Sequence, residues 1–203
     1  MAFSSGFNPH PRISYAGASP TGAASEAEYV EIGLAQVMDP ESIARDLDAS
    51  LPDGLDIIDV VVSTGGSLTE RLEGSHWEIT LPGTDVSALE PAVQQLLATS
   101  EVLVERMTKK GLRTFDVRAS IVSLEVRAGG ESQADDQTCA ILQVVLRHGT
   151  PSVRPDDVLA ALCEISETGV QPAALAQRLA QGPLDPQTGT VGDPLAPDRD
   201  AAG

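Results

Sequence analysis

Aromatic side chains and long apolar runs are scarce in this chain. Aromatic residues make up only 3% of its 203 residues, so any core must be built from Val, Leu, Ile and Ala. No apolar run approaches the ~18 residues that a membrane-spanning helix needs, and we therefore expect no membrane partner. A mean hydropathy of −0.03 is typical of a chain that folds into one globular domain or two small ones.

Cysteine is nearly absent, which excludes several kinds of cofactor site. Cys139 and Cys163 fall on a predicted strand and a predicted helix without metal-ligand spacing, so we interpret them as core thiols of a cytoplasmic protein. Neither a His-Glu-x-x-His pattern, nor a phosphate loop, nor a Gly-x-Ser-x-Gly nucleophile motif occurs. The sequence therefore predicts no metal and no cofactor, and the catalytic residues, if there are any, stay unknown.

Basic residues are outnumbered, with 13 Lys and Arg against 30 Asp and Glu and a formal net charge of −17. Charge of this sign disfavours non-specific binding to nucleic acid. Residues 101–127 nevertheless hold six basic and four acidic residues, a local net charge of +2. This basic cluster predicts either an anion or RNA site or a solvated hairpin with lysines at its turn, and the sequence leaves both open.

The most specific stretch runs from Gly6 to Ala16. Asn8 and His10 each precede a proline, which disfavours helical backbone, and each proline fixes its own φ. We therefore predict a stiff extended arm that holds His10 and Arg12 at a set spacing and then enters a short strand. The arm either presents these two side chains to a ligand or only blocks extension of a sheet.

The first 64 residues predict the order strand, strand, helix, strand. Residues 28–34 alternate as a half-buried strand, and Asp39-Pro40-Glu41 is typical of a helix N-terminus. The β-branched run from Leu55 to Val62 predicts a well-buried strand. Residues 65–75, with three glycines, predict a linker.

Residues 76–182 predict strand, helix, three strands and a helix, followed by an extra C-terminal helix. Pro155 opens the first of these last two helices, and Pro172 opens the second, with Leu175 and Leu179 on its inner face. Residues 183–203 are rich in Pro, Gly and Asp. They bury too little apolar surface to offset their ordering entropy, so we predict a disordered tail.

This order of elements is similar to the ferredoxin-like βαββαβ sandwich. We predict an α+β protein of two ferredoxin-like α/β sandwich units with antiparallel sheets. Residues 1–64 form an incomplete unit that lacks its initial strand and helix, and residues 76–182 form the second unit.

Several motifs taken together resemble a known family, the radical-SAM-linked domain of unknown function. The resemblance covers residues 3–165, and its motifs are Gly6-Phe7-Asn8-Pro9-His10-Pro11-Arg12-Ile13-Ser14-Tyr15, Gly22, Ser25-Glu26-Ala27-Glu28-Tyr29, Leu51-Pro52-Asp53-Gly54-Leu55, Lys109-Lys110-Gly111 through Asp116-Val117-Arg118, and Arg154-Pro155-Asp156-Asp157-Val158-Leu159.

Some members of that family follow a cobalamin-binding radical SAM enzyme in one chain. Others, mostly actinobacterial, stand free and lie near genes for ribonuclease E/G. The resemblance therefore implies a radical SAM enzyme or ribonuclease E/G-associated RNA machinery as partners. With two cysteines the chain cannot hold a four-iron cluster through three thiolates, so we expect it not to be a radical SAM enzyme itself. Members usually carry a strand and a basic helix ahead of the Gly6 motif, so we expect the natural protein to begin upstream of Met1.

The candidate site residues are cations, and they share the most family-like motifs. Arginine matches the geometry of phosphate, and a helix N-terminus such as that after Arg154 favours an anion. Alternatively, Arg118 and Arg154 form internal ion pairs with Asp116 and Asp156. The candidates for anion or RNA binding are His10, Arg12, Lys109, Lys110, Arg113, Arg118 and Arg154.

These residues favour a non-catalytic accessory or RNA-associated binding module, with a ferredoxin-like sheet as platform and the basic cluster as contact. We further expect Arg12, Arg118 and Arg154 to lie on one face near His10. The alternative is an enzyme or enzyme subunit that acts with a radical SAM partner in RNA modification. Such an enzyme needs a general acid or nucleophile, and only His10 qualifies there.

Overall fold

The computed structural model describes residues 1–5, 7–108, 111–129, 139–166 and 175–201. Its mixture of helices and antiparallel sheets confirms the α+β class. In chain order the elements are β1 (Ile13–Ala16), β2 (Ala24–Ser25), β3 (Tyr29–Ile32), α1 (Pro40–Asp48), α2 (Leu68–Arg71), β4 (Gly74–Pro82), α3 (Val86–Ala98), β5 (Leu103–Thr108), β6 (Gly111–Asp116), β7 (Ile121–Ala128), β8 (Cys139–Arg147), α4 (Pro155–Ile165), β9 (Leu175–Gly182) and α5 (Ala196–Ala201).

The chain divides into two compact units that interleave along the sequence. Unit 1 comprises Met1–Ala18, Glu28–Arg71 and Asp193–Gly203, and unit 2 comprises Ser19–Ala27 and Leu72–Gly192. This division differs from the predicted consecutive units, because each unit takes in a segment from elsewhere in the sequence. The predicted linker at 65–75 also carries secondary structure, since α2 and the start of β4 lie within it.

Unit 1 contains a two-stranded antiparallel sheet, in which β1 pairs with β3 so that Ile13 lies opposite Ile32. Helix α1 begins where the sequence predicts, because the Asp39 carboxylate accepts a hydrogen bond of 3.0 Å from the Ser42 N–H and Pro40 follows the cap. The described side chains of α1 include none that is buried. The predicted ferredoxin-like character of unit 1 stays a prediction.

The strand predicted from Leu55 to Val62 is wrong. These residues form neither helix nor strand, and 87% of the Ile58 surface is exposed. The Asp48 carboxylate accepts a hydrogen bond of 2.9 Å from the Ile57 N–H. This bond ties the segment to the end of α1. β-branched residues favour strands only where a neighbouring strand completes the ladder, and neither β1 nor β3 pairs with this run.

Unit 2 is built on one five-stranded sheet with the order β2-β9-β4-β8-β7. Strand β4 runs antiparallel to both of its neighbours, β7 is antiparallel to β8, and the short β2 is parallel to β9. Alternate residues of β4 face a core that α3 and α4 complete. The side chains of that core include Trp77, Ile79, Leu81, Leu89, Val93, Leu96, Leu142, Val144, Val158 and Leu162.

The helix predicted after Pro172 is wrong for its described part, and Pro172 itself lies outside the described residues. Residues 175–182 form β9, which pairs with β4 between Gly182 and Leu175. A stretch of eight residues with Leu175 and Leu179 fits either helical or strand periodicity. It forms a strand because the edge of β4 is available for pairing. Apart from β2 and the β5–β6 hairpin, unit 2 has the order strand, helix, strand, strand, helix, strand, and its ferredoxin-like character stays a prediction.

The described part of the predicted disordered tail, residues 183–201, is folded instead. Leu184 is buried and pairs with Val191, and α5 joins unit 1. Asp198 of α5 is also buried, where it accepts hydrogen bonds from Thr64 Oγ1 at 2.7 Å and from the Arg71 guanidinium. A count of apolar residues does not predict this folded structure, because polar contacts stabilise it.

None of the helices in the described ranges is both long and apolar enough to cross a bilayer.

Candidate anion-binding site

Part of the basic cluster lies on a two-stranded hairpin of β5 and β6 within unit 2, whereas Arg118 follows β6 and Arg127 lies on β7. The register of the hairpin places Val104 opposite Phe115 and Arg106 opposite Arg113. Val104 and Phe115 are buried in the core of unit 2, so one face of the hairpin is held by apolar packing. Gly111 begins β6 with φ at +103°, a conformation that favours glycine.

Arg106 anchors the hairpin to the N-terminus of α4. Its guanidinium forms an ion pair with the Asp157 carboxylate and donates a hydrogen bond of 2.9 Å to the Ser152 carbonyl. It also lies over the Phe115 ring, 4.8 Å from the ring centroid, which adds a cation–π contact. These three contacts hold the Arg106 guanidinium in place, and those to Asp157 and Ser152 fix the orientation of the hairpin.

Asp157 is the buried centre of this arrangement, with 4% of its surface exposed. Its Oδ2 accepts the Arg154 backbone N–H at 2.8 Å, so it caps α4 as well as pairing with Arg106. Burial raises the pKa of the Asp157 carboxyl, while the Arg154 N–H and the charges of Arg106 and Arg154 oppose that rise. A buried carboxylate of this kind requires paired cations.

Two of the predicted site residues, Arg113 and Arg154, are exposed around this centre. Arg113 projects on the same hairpin face as Arg106, because the two lie opposite each other in the register. Arg154 is the residue immediately before α4, and Asp156 beside it is an exposed acid. Lys109 and Lys110 join β5 to β6 in the sequence but lie outside the described residues.

Arg118 does not belong to this site. Its guanidinium donates to the Leu97 carbonyl, at 3.3 and 3.2 Å, and to the Ile121 carbonyl at 3.1 Å. It therefore satisfies a carbonyl in the last turn of α3, as basic side chains commonly do. The alternative ion pair with Asp116 is also wrong, since that carboxylate accepts the backbone N–H groups of Val102 and Arg118, each at 2.9 Å.

His10 and Arg12 lie in unit 1, where both are exposed. The predicted extended arm is present: the His10 carbonyl accepts the Ser4 N–H at 2.8 Å, and the Arg12 N–H donates to the Ala2 carbonyl at 2.9 Å. Gly33 leaves room for Arg12, because a Cβ at that position would lie 2.9 Å from the Arg12 Cβ. The expectation that Arg12, Arg118 and Arg154 share one face stays a prediction.

Sequence reasoning overlooked the roles of Arg106 and Asp157. The signal was available in β5, where Arg106 shares a face with the apolar Val104 and must therefore point towards the core side. A cation in that position needs a buried carboxylate. Only the fold identifies it as Asp157 rather than a nearer acid such as Glu105.

The sheet face of unit 2 that points away from α3 and α4 is polar. Neighbouring positions across the strands place Glu125 beside Gln143, Gln143 beside Glu78, and Glu78 beside Gln177. The Glu78 carboxylate accepts from Gln143 Nε2 at 2.9 Å and from Arg127 at 2.7 Å. This open face therefore has carboxylates and amides where an RNA-binding sheet would present aromatic side chains.

Within the described ranges, no group of three or more His, Cys, Asp or Glu residues is arranged to hold a metal ion.

The region that contains all seven predicted site residues also matches a family of proteins. A search of curated proteins finds none that matches the chain. The family match extends over residues 1–155 and so includes unit 2 from β2 to the start of α4. The chain therefore belongs to the family described as an uncharacterized protein conserved in bacteria, DUF2344.

Proposed function

We propose that the protein is a non-catalytic RNA-associated binding module that contacts RNA phosphates through the β5–β6 hairpin of unit 2. The observation that carries this proposal is the ion pair of Arg106 with buried Asp157. It orients a hairpin whose Arg113 is exposed, next to an α4 N-terminus where Arg154 is exposed. Lys109 and Lys110, which follow β5 directly in the sequence, are two further cations.

Arginine side chains at fixed positions suit this task. A guanidinium presents a rigid fork of donors that matches phosphate oxygens, and phosphate contacts supply most of the affinity in non-specific RNA binding. The strongly acidic remainder of the chain repels RNA, which restricts binding to the places where cations gather. We therefore assign the contact to the hairpin and not to the open sheet face, where Glu78 and Glu125 lie.

Under this proposal unit 2 is a ferredoxin-like sandwich that acts as a scaffold for an inserted hairpin. The strand order β9-β4-β8-β7 supports that assignment, with α3 and α4 as the helices in the crossover connections between strands. The resemblance to the radical-SAM-linked family suggests a radical SAM enzyme or ribonuclease E/G-associated RNA machinery as the setting in which the module acts. No specific observation in the described residues favours the enzymatic alternative, for which the exposed His10 is the acid–base candidate.

The test is binding of a fluorescent RNA stem–loop, which offers both paired and unpaired nucleotides, measured by anisotropy at low salt. Two double variants remove charge from the site, Arg113→Gln with Arg154→Gln and Lys109→Gln with Lys110→Gln. We expect each to weaken binding about tenfold or more, because each removes two phosphate contacts. Thermal unfolding of the same samples shows whether the fold is retained.

The matched control removes two exposed cations that lie outside the basic cluster and α4, Arg45→Gln with Arg147→Gln. We expect it to change the affinity by less than about twofold. Equal losses in the control and the site variants would mean diffuse electrostatic attraction, and the hairpin would not be a site. Absence of binding by the unaltered protein would reject the RNA-binding function altogether.

A further inference from the structure

Unit 2 has no exposed aromatic side chain to stack on a base. Its aromatic residues are Trp77 and Phe115, with 4% and 8% of their surfaces exposed. The Trp77 indole N–H donates to Ser75 Oγ at 2.8 Å, and the Arg106 guanidinium covers the Phe115 ring. Both rings are therefore committed to contacts within the unit.

This absence separates two kinds of RNA ligand. Proteins that bind single-stranded RNA commonly stack its unpaired bases on aromatic side chains or read their edges. Proteins that bind double-stranded RNA contact phosphates and 2′-hydroxyls and recognise the shape of the duplex. The exposed side chains at the hairpin site include the cations Arg113 and Arg154, which suit phosphates. The exposed apolar pair Met107 and Leu112 lies on the other face of the hairpin.

The rigid attachment of the hairpin to unit 2 also suits the binding of a duplex. Apolar packing of Val104 and Phe115 and the contacts of Arg106 to Asp157 and Ser152 fix its position in unit 2. Charges at fixed positions match the regular spacing of phosphates along a paired helix. They offer less advantage with a flexible single strand, whose phosphates have no fixed spacing.

We infer that unit 2 binds double-stranded RNA through its phosphate backbone, without reading the base sequence. This inference rests on the function proposed above and specifies the class of RNA. The β5–β6 hairpin and the start of α4 form the contact, and the open sheet face of unit 2 takes no part.

The experiment compares a labelled RNA duplex of about 20 base pairs with each of its two strands alone, which are designed to avoid self-pairing. Binding of the full chain is measured by anisotropy at several salt concentrations. We expect the duplex to bind about tenfold more tightly than either strand, and a duplex of shuffled sequence to bind equally well. Arg113→Gln should lower the slope of log affinity against log salt by about one, while the control Arg147→Gln, at an exposed position outside the basic cluster, should not change it.

Each outcome bears on a different claim. Binding of either single strand as tightly as the duplex would overturn this inference and leave the proposed RNA-binding function intact. Tyr15 is an exposed aromatic residue of unit 1. If Tyr15→Ala abolishes this single-strand binding, the binding is due to stacking outside unit 2. If neither the duplex nor the strands bind, the proposed function fails as well.

Discussion

In unit 2, 22 buried hydrophobic side chains form one continuous cluster, whereas the described residues of unit 1 bury only Ala16 and Leu68 in this way. Among the residues that the structure describes, thirteen large exposed hydrophobic residues lie in unit 1 and four in unit 2. Those of unit 1 are Met1, Phe3, Phe7, Ile13, Tyr15, Val30, Leu34, Val37, Met38, Leu51, Leu55, Ile58 and Val62.

The difference teaches that similar apolar patterns in a sequence do not have equal effects on stability. Burial of a large apolar side chain contributes about 1.5–3 kcal/mol relative to its exposure, and unit 2 obtains this contribution many times over. Unit 1 depends more on polar contacts, such as those of Asp198 with Arg71 and Thr64. We therefore expect unit 1 to be the less stable of the two.

The largest effect is expected from a pair of identical substitutions, one in each unit. Ile79→Ala creates a cavity at a position with no exposed surface, and Ile58→Ala shortens a side chain that is 87% exposed. The first should lower the free energy of unfolding by about 2–5 kcal/mol and the second by less than about 0.5 kcal/mol. Urea unfolding of both variants measures this difference, and similar losses would contradict the contrast between the units.

A smaller effect is expected from Asp198→Asn in unit 1. The carboxylate accepts from the Arg71 guanidinium, from the Thr64 N–H at 2.9 Å and from Thr64 Oγ1 at 2.7 Å. The substitution removes the charge from these hydrogen bonds and should cost about 1–3 kcal/mol. Hydrogen exchange should accelerate in unit 1 and change little in β4 and β8, and an effect spread equally over both units would contradict this prediction.

The same contact makes a prediction about pH. Hydrogen bonds from the Arg71 guanidinium, and then from Thr64, hold the pKa of Asp198 well below its ordinary value of 3.8. Because the folded-state pKa is the lower one, the stabilisation is complete above pH 3.8 and is lost as the pH falls towards the folded-state value. The stability difference between the protein and Asp198→Asn should therefore narrow below pH 3.8. A difference that stays constant on acidification would show that the charge is not responsible.

The smallest effect is expected from an added methyl group in unit 1. In Gly33→Ala the new Cβ would lie 2.9 Å from the Arg12 Cβ, but Arg12 is exposed and the described residues of unit 1 bury few side chains that would resist a shift, so we expect a loss below about 1 kcal/mol. Gly74→Ala in unit 2 is the matched variant, because its Cβ would meet the Leu146 carbonyl oxygen at 3.2 Å. There we expect about 1–3 kcal/mol, and thermal unfolding that ranks the two variants in reverse would mean that unit 1 is the more rigidly packed.

Local signals predicted the elements whose ends carry specific chemistry. Helix α1 begins after the capping Asp39, α4 begins at Pro155, and the apolar run from Cys139 forms β8. For α1 and α4 the deciding interaction joins residues that are close in sequence. For β8 the run is so uniformly apolar that a buried strand is the one interpretation. Part of the candidate site was predictable for the same reason, since the basic hairpin is one continuous segment.

Elements that depend on distant partners were not predictable. Residues 175–182 form β9 because β4 had an edge to pair with, and residues 55–62 form no strand because neither strand of the unit 1 sheet pairs with them. Arg118 binds the Leu97 carbonyl although Asp116 is nearer in the sequence. Propensity is a weak preference that pairing and packing override.

The sequence by itself determined the α+β class, the starts of α1 and α4, the acidic charge and the presence of a basic hairpin, because these follow from composition and from neighbouring residues. Tertiary structure alone decided which cations are available for binding. It paired Arg106 with Asp157, 51 residues away, and left Arg113 and Arg154 exposed. The physical reason is that a buried charge must find its counter-charge wherever the fold brings one, and sequence distance does not limit that choice.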